Sequence, residues 1–195
     1  MGVFYKVSDK QLLKDRNDLF KEVGISALEK SGFIKSTFKA VWFGEYYNAI
    51  EGYIYEFSRL SKNSNLECIK VFIVKGDKYV KFSLNIFELF PELSSLTELK
   101  VVDNSVNFGI PPNSIKDMRL RSDDYKGPPL FYMMFLSEHK IGSYYTKSGY
   151  EAELAKLKKL IKSDMENIDS FVKRWHELHK PNLTDWEGNI ITKEI

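Results

Sequence analysis

The stretch from Cys68 to Asn85 constrains this chain more than any other. With Gly76-Asp77 as a two-residue loop, glycine first as a type II′ turn requires, Ile73 faces Val80, Val71 faces Phe82 and Ile69 faces Leu84. Every apolar pair lands on one side of the ribbon. The other side pairs Val74 with Tyr79, Phe72 with Lys81, Lys70 with Ser83 and Cys68 with Asn85. A slip of one residue would send the whole apolar set to the opposite face, so the sequence specifies this register strongly. Its one cost is the like-charged Lys75–Lys78 pair beside the turn.

The same period of two extends N-terminally. Phe38, Trp42 and Tyr46 fall on one parity, and Tyr53, Tyr55 and Phe57 fall together after a turn over Asn48–Gly52. Aromatic residues suit a pleated, half-buried surface. C-terminal to Ile86 the pattern is weaker. Phe87 to Pro91 and Leu93 to Leu96 read as a short helix or turn, Leu99 to Val102 as a strand, and Asn104 to Asn113 as a loop. Ile115 to Arg121 alternates like an edge strand. Leu130 to Leu136, the longest apolar run, fits a buried strand or a buried helical turn equally well.

Two helices flank this region. Ser8 and Gln11 form a capping box, after which Leu12, Leu13, Leu19, Phe20, Val23, Ala27 and Leu28 recur at helical spacing. Gly24 weakens the middle and Gly32 ends the helix, because glycine adopts the left-handed C′ conformation freely. A second capping box, Ser148 with Glu151, opens the stripe Leu154, Leu157, Ile161, Met165, Ile168, Val172 and Trp175. Pro181 stops it near His179. A helix of about 30 residues spans about 45 Å, more than a domain of this size is wide, so it must bend, break or overhang. The expected fold is α+β: an antiparallel sheet of about five or six strands, with the N-terminal helix and the long C-terminal helix packed on one face. Residues 1–180 make one domain, and 181–195 form a tail that packs on it, with Trp186 and Ile190 available to cover the helix stripe.

Composition bounds the function. The 195 residues are 43% apolar, which suits a folded chain, and the net charge is +2. That charge is spread evenly, so nucleic acid and anionic lipid are not expected partners. Cys68 is alone, no apolar leader precedes Leu13, and no run is long enough to span a bilayer, so the expected compartment is the cytoplasm.

Few residues suggest chemistry. His176 and His179 share a helix face and suit a metal, with Asp185 or Glu187 as third ligand; the protease motif instead spaces its histidines by four. Helix-end histidines also serve simply to complement the dipole. Glu67 and Lys70 are three apart and point to opposite faces of a strand, which defeats a nuclease acid-x-Lys pattern. No G-x-S-x-G, G-x-G-x-x-G or P-loop occurs, and Cys68 sits within a strand as a half-buried thiol. Lys70, Phe72, Tyr79 and Lys81 share one sheet face. They compose either a binding surface of aromatics with cations or a face covered by another element.

Several short segments carry a resemblance: Gly32-Phe33-Ile34-Lys35, Ile54-Tyr-Glu-Phe57-Ser-Arg59, Phe82-Ser-Leu-Asn85-Ile86, Met118-Arg-Leu-Arg121 and Phe171-Val-Lys-Arg-Trp175. Across roughly Leu19 to Leu178 the chain resembles an uncharacterised bacterial family, a domain of unknown function with a helix, a long antiparallel meander and a C-terminal helix. That family usually has Asn-Phe-Gln where this chain has Tyr55-Glu56-Phe57. The resemblance implies no activity. The expectation is therefore a non-enzymatic binding module without cofactor, of immunity or regulatory type, that engages a partner protein as a monomer or homodimer. The alternative is a metal-dependent enzyme centred on His176 and His179.

Overall fold

The computed structural model describes residues 5–36, 43–61, 65–98, 116–128, 137–186 and 188–192. The expected elements at 99–102, 104–113 and 130–136, and the side chains of Phe38, Trp42 and Glu187, lie outside these residues.

The chain opens with α1 (Asp9–Leu19), continues without interruption through a π-helical turn (Phe20–Gly24) and ends as α2 (Ile25–Lys30). Only half of the expected capping box forms. The Ser8 hydroxyl accepts from the Gln11 amide at 3.2 Å, but the Gln11 side chain donates forward to Asp15. The π turn has a cause in Gly24. A Cβ there would lie 2.2 Å from the Phe20 ring, so only glycine leaves room for that ring. Phe20 is fully buried and meets Tyr55 and Phe82 edge-on, at 4.8 and 5.8 Å between centroids. It plugs the helix into the sheet. Gly32, at φ +84°, ends the helix as expected, with the Phe33 amide donating back to Leu28.

Among the described residues seven strands form one sheet, most of the pairs antiparallel. β1 (Ile34–Lys35) and β2 (Phe43–Tyr47) both lie along β3 (Gly52–Leu60), which pairs with β4 (Asn65–Val74). β4 pairs with β5 (Lys81–Leu89), and β5 with the short β6 (Met118–Arg119). The hairpin has the register read from the sequence: Cys68 opposite Asn85, Ile69 opposite Leu84, Lys70 opposite Ser83, Val71 opposite Phe82 and Phe72 opposite Lys81. Ile69, Val71, Ile73, Val80, Phe82 and Leu84 are all buried on one face.

The tip of the hairpin differs. The Asp77 amide donates to Val74 O, so Lys75 and Gly76 are the central residues, and Gly76 takes its positive φ at the second of them rather than the first. Beyond Phe72–Lys81 the two strands separate. Lys78 to Val80 turn to pair with His139 to Ile141. The gap is filled by Arg16, which is fully buried. Its guanidinium donates to Val74 O at 2.9 Å, to Tyr79 O at 2.5 Å and back to Leu12 O at 3.1 Å. A helix side chain thus takes the carbonyls of the very pair, Val74 and Tyr79, that would have continued the ladder.

Two helices close the chain, α3 (Lys147–Glu166) and α4 (Ile168–Leu178), separated at Asn167. The long helix therefore breaks. Its N-cap is Thr146, which accepts from the Gly149 amide, two residues before the expected Ser148. Leu157, Ile161, Met165, Ile168, Phe171 and Trp175 enter the main core with α1 and one face of the sheet. Among the described residues the tail does not cover this stripe. Instead, β7 (Asn182–Thr184) adds to β5 in parallel, against Phe87–Leu89, which is strand rather than helix or turn. Trp186 packs beside Leu66, Cys68, Phe87, Leu89, Leu93 and Leu96, a separate apolar cluster on the reverse face. Among the described residues no helix is long and apolar enough to cross a membrane.

Candidate binding surface

Of the four residues singled out on the hairpin, Lys70, Phe72 and Lys81 share the face turned away from the helices. Lys70 is bound to Glu56 at 2.8 Å, with both side chains largely buried. It serves the sheet and presents little charge to a ligand. Phe72 is half-buried, opposite the exposed Lys81.

Tyr79 leaves the ladder where Arg16 intrudes and bridges to Lys140. Its half-exposed ring carries two ammonium groups, Lys140 Nζ at 5.4 Å and Lys81 Nζ at 5.9 Å from the centroid. Each cation is held by its own carboxylate, Lys81 by Asp77 at 2.7 Å and Lys140 by Glu138 at 2.5 Å. The Tyr79 hydroxyl donates to Glu138 at 3.4 Å. Two lysines fixed over one tyrosine make a preordered cation–π arrangement. Beside it a cleft of about 280 Å³ opens at the β5–β6 edge, lined by Tyr79, Lys81, Phe82, Arg119, Arg121 and His139.

The wall of this cleft holds a cluster that the sequence reading missed. Asp164, on the buried face of α3, receives Arg121 through Nε and through Nη2, the latter at 2.7 Å, and lies 2.7 Å from His139 Nε2. The His139 ring meets that of Phe82 at a tilt of 60°, 4.7 Å between centroids. Burial alone would push the Asp164 carboxyl up; the hydrogen bonds and charges of Arg121 and His139 outweigh it and hold the group below its ordinary value. Arg121 has φ +58°, a left-handed conformation unusual for a residue with a Cβ. The cluster thus pins the turn after β6 onto α3 and gives the cleft a rigid wall. One signal for it was present. Asp164 falls on the apolar stripe, between Ile161 and Ile168, where a lone acid needs a buried partner.

The other candidates lie elsewhere. His176 is exposed in the last turn of α4 and His179 just beyond it, each ring 5.3 Å from Trp175. Burial and the nearby Lys116 lower the His179 imidazole from its ordinary value. Asp185 accepts from the Asn189 amide and side chain. Among the described residues no three His, Cys, Asp or Glu converge as a metal set. Cys68 is buried near Ser58, and burial pushes its thiol up to about 12. Glu67 and Arg59 form a buried tie that reaches Asp169 on α4, while the Arg59 guanidinium stacks over Phe33 at 4.4 Å.

No family model matches the chain, and neither does any curated protein or solved structure. The resemblance to the bacterial family rests on the short segments alone.

Proposed function

We propose that this chain is a non-enzymatic binding module, of regulatory or immunity type, that docks a partner protein on the surface around Tyr79. The observation that carries this reading is the half-exposed Tyr79 ring, flanked by two lysines that are each held in place and set at the mouth of a cleft. Tyrosine and arginine are enriched in binding hot spots, and Arg119 and Arg121 line the cleft beside the ring. The local acids are already committed, Asp77 to Lys81, Glu138 to Lys140 and Asp164 to Arg121. Groups paired in this way fix a shape and a charge pattern for recognition, at little further entropic cost on binding.

Photocrosslinking tests this directly. A benzophenone amino acid at Phe72 or Arg119, activated in the native cells, should give a discrete protein adduct that disappears when Tyr79→Ala is added. The same group at Lys159, on the exposed side of α3, should give none. Absence of an adduct from both surface positions, or an identical adduct from Lys159, would contradict the reading.

A further inference from the structure

A second depression lies between α1 and the sheet edge, and it shares no residue with the Tyr79 cleft. It measures about 780 Å³. Its floor is apolar and aromatic. Leu13 is buried there, and Tyr46, 43% exposed, meets Tyr53 edge-on at 5.6 Å between centroids. The rim is basic. Lys10, Lys14, Lys21 and Lys75 line it, with Asp18 as the one carboxylate among the lining residues. Lys14 pairs with Asp18, and Lys75 with Glu51, in exposed bridges that hold their partners weakly. Lys10 and Lys21 have no carboxylate in reach among the described residues.

The back of the groove supplies a polar anchor. Asn17 lines it and is only 3% exposed. Its Oδ1 accepts the Tyr55 hydroxyl at 2.6 Å, while its Nδ2 has no acceptor among the described residues. A buried amide donor without a partner is costly, and a ligand carbonyl or carboxylate would relieve it.

We propose that this groove docks an extended acidic segment of a partner protein, with one apolar side chain seated on Tyr46 and Tyr53. The dimensions agree. From Lys10 to Lys21 along the helix is about 16 Å, the length of about five residues of extended chain. The main chain of such a segment offers acceptors to Asn17, and its carboxylates meet Lys10 and Lys21. Nucleic acid fits less well. The two tyrosines stand edge to face at 79°, so they offer no stacked platform for successive bases. Asp18 and Glu51 also place negative charge beside two of the four lysines.

The test uses the full chain and a fluorescein-labelled hexapeptide of aspartate and glutamate with one central phenylalanine, read by anisotropy. Saturable binding that weakens with salt is expected. Lys10→Glu with Lys21→Glu should weaken it roughly tenfold, since two charge pairs become repulsive. Tyr46→Ala should weaken it too, and Lys159→Glu, on the exposed side of α3, should leave it unchanged. Because the variants alter exposed residues, circular dichroism should show the fold intact. Amide chemical-shift changes on the unaltered protein, confined to α1 and to Tyr46 and Tyr53, provide a readout free of any mutation. Absence of binding, binding indifferent to both lysine reversals, or stronger binding of a single-stranded oligothymidine in competition would each overturn the proposal.

Discussion

Arg16 and Asp164 show what a single charged residue on a buried helix face does to this molecule. Arg16 is held by three main-chain carbonyls, and burial lowers its guanidinium from its ordinary value. Arg16→Leu should strand the carbonyl of Tyr79, at roughly 1–3 kcal/mol for an orphaned acceptor, while that of Val74 keeps the Asp77 amide. A denaturant midpoint equal to that of the native protein would show that the strand ends close without it. Asp164 has its folded value held below the unfolded one, so its contribution is present above about pH 4 and is lost as the pH falls through the folded value. Asp164→Asn should therefore cost about 3 kcal/mol at neutral pH. It should also flatten the acid limb of the stability curve below about pH 4. An acid limb as steep as that of the native protein would assign the acid sensitivity to other groups. Cys68, with its thiol raised to about 12, should not react with a thiol reagent until the chain unfolds, which a colorimetric assay with and without denaturant reads directly.

At the scale of elements, the hairpin shows both how far local pattern reaches and where it stops. Its register was legible through Phe72–Lys81, because alternation and burial agree residue by residue. Its tip was not, because Arg16 reaches Val74 and Tyr79 from 58 and 63 residues away in sequence. A window around the turn contains no trace of that competitor. Gly76 still needs its positive φ, though at the second central position, and no atom lies within 4 Å of where its Cβ would sit. Gly76→Val should thus lower stability by about 1–3 kcal/mol through conformation alone, and Gly76→Asn by less. Equal losses for the two would point to a packing defect instead. That the long helix must bend, break or overhang was legible from length, but that it breaks, and does so at Asn167, was not. The fate of the tail was not, since β7 joins a strand already paired on its other side. Deleting residues 182–195 should uncover Phe87, Leu89 and Leu66 on the reverse face and cost about 2 kcal/mol or more. A truncated chain with an unchanged melting temperature would place the cover elsewhere.

At the scale of the whole molecule, the α+β layout was readable because two periodicities, two in the sheet and three to four in the helices, sort the apolar residues onto facing surfaces. The surface around Tyr79 was only partly readable. Tyr79 and Lys81 were visible as an aromatic and a cation on neighbouring strand positions, and the structure brings them together. Lys70 faces the same way but is spent on Glu56. Lys140, Glu138 and His139 arrive from a segment about 60 residues along the chain that no local pattern links to the hairpin. The central claim is that Tyr79 anchors a partner protein. It is tested most directly by the affinity of the crosslinked partner for Tyr79→Ala and Tyr79→Phe, measured alongside their melting temperatures. Loss of an anchoring ring should weaken binding by about 2 kcal/mol or more, roughly thirtyfold. Tyr79→Phe should stay near the native affinity, and neither variant should melt much earlier. Native affinity in Tyr79→Ala would contradict the claim.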